Sequence, residues 1–443
     1  MEISLLKHYK VAKYEFEDYY TYYNSENGRI MNVDKIYADR IDEYIDINDF
    51  FGKPNYAENN KVITICINLT SRCNLRCKYC FNLKKESKDL ALNDALNFID
   101  KIIAKYNSTA SKFIVDLSGS GEPLLMLKSI IKIADYCVKK SDEIVKDVIP
   151  QLVCNGTLLT KDVVAKLQEH RVLFGVSLDG YEEYHNKQRV FPDGTQTYNL
   201  IVNNVKQIDN NQFVGVAMTI YNEDIDVYKA YTNLAQSFNT ISIRFARQNY
   251  KSFDFTNIIN GYEKVCQFII RNFKENDYSF LLKIINGDDY FGKCLLKAIT
   301  NSYLERRCDA NVSRFALGVD ENQYPCSAYV YEKDCSIHKN ESCLKCFLIH
   351  FCGGLCPIQS AYNSEKLCEF KKRIFELCLK LLCELQKENL NVYFSFLGEV
   401  EKILDRNQVD DELLEKYKKY STIFKYSELK YLRDNYIDKY KLL

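Results

Sequence analysis

Between residues 62 and 273 the chain repeats one pattern six times: a β-rich apolar run, then a stretch of helical periodicity. The pairs are VITICINL with LALNDALNFIDKIIAKY, FIVDLSG with LLMLKSIIKIADYCVKK, VIPQLVCNG with TKDVVAKLQEH, VLFGVSLDG with TYNLIVNNVKQI, FVGVAMTI with IDVYKAYTNLAQSF, and ISIRFA with IINGYEKVCQFIIRNF. Six consecutive β-then-α units predict an α/β fold of parallel strands with right-handed crossovers, either a partial (β/α)6 barrel of TIM type or an open sheet. In both, chemistry collects at the C-terminal ends of the strands.

The flanks differ from this middle, which is assigned residues 61–290. Residues 1–60 are Tyr-rich and lean acidic, with 12 Asp and Glu against seven Lys and Arg, and predict a small appended α+β module. Within it YYTYYNSENGRIMNVD reads as two short strands around the turn Glu26-Asn27-Gly28, and IYADRIDEYIDI as a helix. Over 291–370 the rhythm fades and cysteines bunch, which predicts a separate, metal-ordered region. The tail, 371–443, reads as helical, with Cys378 and Cys383 packed as core thiols.

Lys plus Arg and Asp plus Glu both number 60, so no net field points to nucleic acid or to an anionic membrane surface. No apolar run approaches the ~18 residues that span a bilayer, and the N-terminus lacks a signal-peptide pattern, so a cytoplasmic protein is expected. In a reducing compartment 18 cysteines are not a disulfide framework, and they hold metal or pack.

Three of them, Cys73, Cys77 and Cys80, form CxxxCxxC in a loop after the first β run. Thiolates so placed can each take one iron of a [4Fe-4S] cube and leave the fourth iron open to another ligand. The competing reading is structural zinc, which wants four closed ligands, and Cys66 on the preceding strand is poorly placed to be the fourth. With Tyr79 before the last cysteine, the segment resembles the CxxxCxΦC signature of the radical S-adenosylmethionine (SAM) enzymes. The resemblance spans roughly residues 61–368. It implies SAM chelated at the open iron and cleaved to a 5′-deoxyadenosyl radical that abstracts hydrogen.

Further motifs of that family follow in order. GSGEPLL, Gly119–Leu125, resembles its Gly-Gly-Glu-Pro motif, with Ser120 where the first Gly is usual. The resemblance implies that Gly121 and Glu122 receive the ammonium of the cofactor's methionine part. As bare sequence the segment half-matches GxGxxG, but the third Gly is missing and Pro123 interrupts, which argues against a dinucleotide loop. CNGTLL supplies Asn155 as a cofactor-side residue, and VSLDG maps the family's ribose-side Ser and Asp onto Ser177 and Asp179. His185 and Arg189 match a His-x-x-x-Arg segment. Arg189 is expected to contact the cofactor carboxylate, against a surface salt bridge, and His185 is left open between a structural and a functional role.

Cys343, Cys346, Cys352 and Cys356, with Cys308 and Cys326 before them and Cys368 after, put seven thiols in about 60 residues. They resemble the C-terminal SPASM domain of peptide-modifying radical enzymes, although Glu321 replaces the Gly expected before Cys326. That family implies one auxiliary [4Fe-4S] cluster on Cys343, Cys346, Cys352 and Cys368 and another on Cys308, Cys326 and Cys356. Either Cys294 or, more weakly, Cys335 supplies an eighth ligand, or one iron stays open. Cys294 sits in a helical apolar pattern that also suits core packing, and His338 and His350 read as surface residues.

The layout resembles maturases that join positions of ribosomally made peptides through thioether or carbon-carbon bonds. It implies three [4Fe-4S] clusters, a precursor peptide with a leader as substrate, and an electron donor such as flavodoxin or ferredoxin. Residues 1–60 offer room for leader recognition. Anaerobic sulfatase maturases share the layout, but their barrels begin almost at the N-terminus, and their presumed base, an Asp after the cysteine matching Cys326, is here Ser327. Peptide epimerisation, redox-cofactor precursor processing and a non-catalytic zinc-rich scaffold compete with the maturase reading as well. No residue is assigned as acid or base.

Overall fold

The β/α alternation is present strand for strand. A computed structural model describes residues 2–406 except 7–8, 42–49, 53–54, 57–61, 83–86, 120, 209–214, 249, 288, 301, 304–307, 331–342, 344, 355 and 361–364. The first 34 residues form an antiparallel meander of four strands, β1 (Glu2–Leu6), β2 (Tyr9–Glu15), β3 (Tyr19–Asn24) and β4 (Ile30–Asp34). The expected hairpin is the β3–β4 pair, and Gly28 takes φ +77° in its turn. The stretch IYADRIDEYIDI begins with a 3-10 turn, Lys35–Arg40, capped by Asp34; its residues 42–47 lie outside the described residues.

A two-residue strand, β5 (Asn55–Tyr56), precedes the main run: β6 (Val62–Ile67), α1 (Leu92–Tyr106), β7 (Lys112–Asp116), α2 (Leu127–Ile144), β8 (Val148–Cys154), α3 (Lys161–Glu169) and β9 (Leu173–Ser177). The run continues with α4 (Glu182–Gln188), α5 (Tyr198–Val205), β10 (Gly215–Ile220), α6 (Val227–Leu234), β11 (Thr240–Phe245) and α7 (Thr256–Lys274). Strands β6 to β11 are parallel and lie side by side in chain order, as a sheet wound in one direction requires. The helices cover it with apolar faces. In α1 the buried residues Ala95, Phe98, Ile99, Ile102 and Ile103 follow the spacing of one helix face, and each large one stabilises by about 1.5–3 kcal/mol.

Beyond α7 come α8 (Ser279–Ile285), α9 (Tyr290–Thr300), β12 (Ser302–Tyr303), β13 (Arg314–Leu317), β14 (Gln323–Tyr324), the short α10 (Ile349–Cys352) and α11 (Pro357–Ser360), and the long α12 (Glu365–Glu388) and α13 (Leu390–Arg406). Here the structure departs from the expected separate region. Strand β13 runs parallel to β6 and extends the main sheet, with β14 antiparallel at its edge, so the sheet has eight strands. Four residues, RFAL, are too short to announce a strand; the pairing is made by the long-range partner, and the Asn68 side chain reinforces it by donating to the Leu317 carbonyl at 2.8 Å. Of the tail, 407–443 lies outside the described residues. Among the described residues no helix is long and apolar enough to cross a membrane.

The N-terminal meander is not a loose appendage either. Side chains alternate across it: Ala12, Tyr14, Tyr23 and Ile30 join the core of the barrel and α12, whereas Val11, Tyr22, Met31 and Val33 pack on Phe50 at the other face. Tyr23 meets Phe375 of α12 and Phe351 of α10 edge-on, at ring distances of 5.2 and 6.1 Å. Tyr23→Ala is therefore expected to cost about 3–5 kcal/mol, read from the denaturation midpoint of the full chain. A loss below about 1 kcal/mol would mean that the meander is only weakly docked.

Candidate active site and cysteine centres

Because the strands are parallel, the segments after β6, β7, β8 and β9 emerge on one edge of the sheet, and the motifs from the first cysteine loop to Arg189 fall there. The loop carrying Cys73, Cys77 and Cys80 is held from three sides. After β7, the Glu122 N–H donates to the Arg72 carbonyl at 2.8 Å, and a Cβ on Gly121 would collide with the carbonyl oxygens of Thr70 and Arg72, so only glycine fits. After β8, Asn155, Asn74 and Thr157 close a triangle of side-chain hydrogen bonds of 2.7–2.8 Å. After α4, the Gln188 and Val190 carbonyls accept from the Lys78 and Arg76 N–H groups at 3.0 and 2.8 Å. Leu75 is buried beneath, and the three thiols stay partly accessible.

One carboxylate ties these pieces together. Asp179, fully buried just past β9, accepts from the Thr219 N–H at 2.9 Å on one oxygen, and from Arg189 Nε at 2.9 Å and the Tyr79 hydroxyl at 2.5 Å on the other. Both oxygens expected near a ribose are thus taken by the protein, and the residue acts by holding Tyr79 and Arg189. The Arg189 guanidinium lies over the Tyr79 ring at 5.3 Å, and its charge opposes the burial that raises the Cys77 thiol. His185 is resolved as structural. Its Nδ1 accepts from the Asp179 N–H at 3.1 Å, and its Nε2 pairs with Thr197 at 2.9 Å. Burial pushes its pKa down to about 4, so the ring is neutral.

Glu122 has a similar character. Its two oxygens accept from the Leu124 N–H at 3.0 Å and the Asn155 N–H at 2.8 Å, and burial pushes its pKa up to about 7 against those bonds and Arg189. Ser177 stands half-buried at the end of β9. Around the mouth are groups that no motif marked. Tyr221 packs on Tyr79 at a ring distance of 5.8 Å, and Arg247 lies over Phe81 at 4.4 Å. Their position just past the ends of β10 and β11 was the available signal.

The remaining cysteines gather as two sets. Cys343, Cys346, Cys352 and Cys368 line an open-mouthed cavity together with Tyr290 and Lys371. Cys308, Cys326 and Cys356 pack around Ala310, Tyr329 and Ile358. Burial raises Cys308 and Cys326; Cys356 adds to both, and Cys326 adds to Cys308. Among the described residues no group of three or more His, Cys, Asp or Glu is drawn tightly enough for a single metal ion, whereas a cube spreads its thiolates over separate irons. By the chemistry of their donors, four thiols in one set and three in the other, these sets fit iron-sulfur clusters.

Cys294 does not join them. It is 1% exposed on α9 and neighbours Cys378 of α12, itself fully buried and donating to the Phe291 carbonyl. The apolar face of α9 decides this in favour of core packing. Cys335 and His338 lie outside the described residues, and His350 is half-buried. Glu321 adopts φ +66°, which explains the glycine usual there and costs about 1–2 kcal/mol.

Residues 67–229 match the Radical SAM superfamily. This segment is a radical SAM domain. It holds every motif from the first cysteine loop to Arg189, and such a domain implies SAM and one [4Fe-4S] cluster. The chain is 23% identical over 371 residues, 75% of each chain, to the radical SAM cyclopropyl synthase TigE of Paramaledivibacter caminithermalis. It is 24% identical over 284 residues, 60% of this chain and 73% of the other, to the cysteine-type anaerobic sulfatase-maturating enzyme of Clostridium novyi. A solved structure, native anSMEcpe with bound AdoMet and Kp18Cys peptide, superposes with TM-score 0.57 at 18% identity, covering 74% of this chain and 99% of that one, and shows the shared radical SAM fold.

Two variants test the radical SAM site. Asp179→Asn strands the buried Arg189 and is expected to lower stability by about 3–5 kcal/mol; an unchanged denaturation midpoint would mean that the arginine has another partner. The folded-state pKa of Glu122 lies above its unfolded value of 4.5, so its stabilisation is complete below pH 4.5 and is lost as the pH rises through about 7. Relative to Glu122→Gln, the wild-type protein should therefore lose on the order of 3 kcal/mol across that window. A flat difference in unfolding free energy would contradict the burial of this carboxyl.

Proposed function

We propose that the protein is a radical SAM peptide maturase that oxidatively joins two positions of a ribosomally made precursor peptide through a thioether or a carbon-carbon bond. The observation that carries this reading is the pair of additional thiol sets folded beside the radical SAM site. Hydrogen abstraction alone needs neither. Closing a bond afterwards releases a proton and an electron from the peptide, and auxiliary iron-sulfur centres offer a place for that electron.

Cys73, Cys77 and Cys80 would hold a [4Fe-4S] cluster, and SAM bound beside them would supply the hydrogen-abstracting radical chemistry. The chain's residues bind and orient. Gly121 and Glu122 are assigned to the methionine end of the cofactor, Ser177 to its ribose and Arg189 to its carboxylate. Asn155 and Asp179 hold Asn74, Tyr79 and Arg189 in register. The leader is assigned to the outer strand β1, which among the described residues is paired on one side only and can accept an added strand. A flavodoxin or ferredoxin would deliver the first electron, and a cytoplasmic location suits these oxygen-sensitive centres.

Formylglycine formation is the second reading, favoured by the sulfatase-maturating relatives. Against it, Ser327 stands after Cys326 and supplies no carboxylate there. The relative named as a cyclopropyl synthase supports bond-forming chemistry.

Protein purified without oxygen is expected to carry about 12 irons per chain, to release 5′-deoxyadenosine from SAM on reduction, and to remove two hydrogens in mass from a small peptide encoded beside its gene. Cys73→Ala should abolish the cleavage and lower iron by about four. Zinc in place of iron, with no cleavage, would overturn the enzyme reading. A gain of aldehyde in a sulfatase peptide would move the assignment to the second one.

A further inference from the structure

Cys368 lies in the first turn of α12, and the residues three and four positions on, Lys371 and Lys372, share its helix face. All three line the cavity of Cys343, Cys346 and Cys352. Lys372 is exposed, whereas Lys371 is only 5% exposed, unusual for a lysine. The Lys371 ammonium lies 5.2 Å from the centre of the Tyr290 ring, and the Tyr290 hydroxyl donates to the Lys371 carbonyl at 3.2 Å. Helix α9 thus braces this turn of α12 from across the cavity.

A buried cation is costly unless negative charge faces it. Cations stand near the other two thiol sets as well, Arg189 paired with Asp179 and Arg314 donating to Cys66 at 3.6 Å. Lys371 lines the cavity of the four thiols.

We propose that Lys371 is the counter-charge of a [4Fe-4S] cluster held by Cys343, Cys346, Cys352 and Cys368, and that it raises this cluster's reduction potential so that it accepts an electron. The inference rests on the four-thiol reading above. A cube with four thiolates is an anion and gains one further negative charge on one-electron reduction, with no bond made or broken. A fixed cation at its edge therefore favours the reduced form over the oxidised one. Lys371 is in this sense a positioning charge, acting through the cluster and not on the peptide.

The test is a redox titration followed by electron paramagnetic resonance on the full chain, loaded with iron and sulfide, in a background of Cys73→Ala, Cys77→Ala and Cys80→Ala that removes the radical SAM cluster. Lys371→Met should shift the four-thiol cluster to a more negative potential, Lys371→Arg should restore it, and the rim variant Lys372→Met should shift it less. An unchanged potential in Lys371→Met with its iron retained overturns the proposal. If the Met variant loses iron, Lys371→Gln decides by the same reading; if both neutral variants lose about four irons and Arg keeps them, Lys371 serves assembly and the tuning role is overturned. A background protein holding fewer than about four irons would instead sink the four-thiol reading itself.

Discussion

Parallel strands place all their C-terminal ends on one edge, and that constraint organises this molecule. The cysteine loop follows β6, and the segments after β7, β8 and β9 meet it there with different devices: a glycine with no room for a Cβ after β7, an amide triangle after β8, and after β9 a buried carboxylate and a pair of backbone hydrogen bonds. The loop has little regular structure of its own, so its shape is the sum of these contacts. A fault in any one strand end would reach the thiols.

Charge burial sharpens this arrangement. Asp179 and Arg189 are both withdrawn from water, and a buried ion pair is tolerated only when its hydrogen bonds are complete. Here the Thr219 amide and the Tyr79 hydroxyl complete them, which binds β10 and the cysteine loop to the same carboxylate. Glu122 is the softer counterpart. Two backbone amides hold it, but burial keeps its proton affinity high, and a cation arriving beside it would favour the charged form.

The second half of the chain is built onto the first, not strung after it. Strand β13 lengthens the barrel sheet, α12 packs on α7 and α9, and the N-terminal meander docks on Phe351 and Phe375. The four-thiol cavity sits where α9, α10 and α12 converge, so its cysteines are held by the same packing that buries the meander. Radical site and four-thiol cavity therefore share one core, whereas Cys308, Cys326 and Cys356 pack on a small cluster of their own.

Local patterns carried much of this. The six-fold alternation determined the parallel sheet, because periodicity of two and of 3.6 residues reflects one-sided burial whatever the partner. The spacing of Cys73, Cys77 and Cys80, and the strand-end motifs, determined where the site lies. Other features belong to tertiary structure alone. Strand β13 is too short to show a period, β1 and β2 lack a turn signal as clear as that of β3 and β4, and the core position of Cys294 depends on Cys378, 84 residues away in sequence. Nothing in SLDG distinguishes an aspartate that faces a ligand from one enclosed by Tyr79, Arg189 and Thr219, and nothing in CEFKK distinguishes a buried lysine from an exposed one. Sequence alone determined which residue types the chemistry has available and on which edge they emerge; the long-range packing decided which of them face the cavity, because orientation is set by partners distant along the chain.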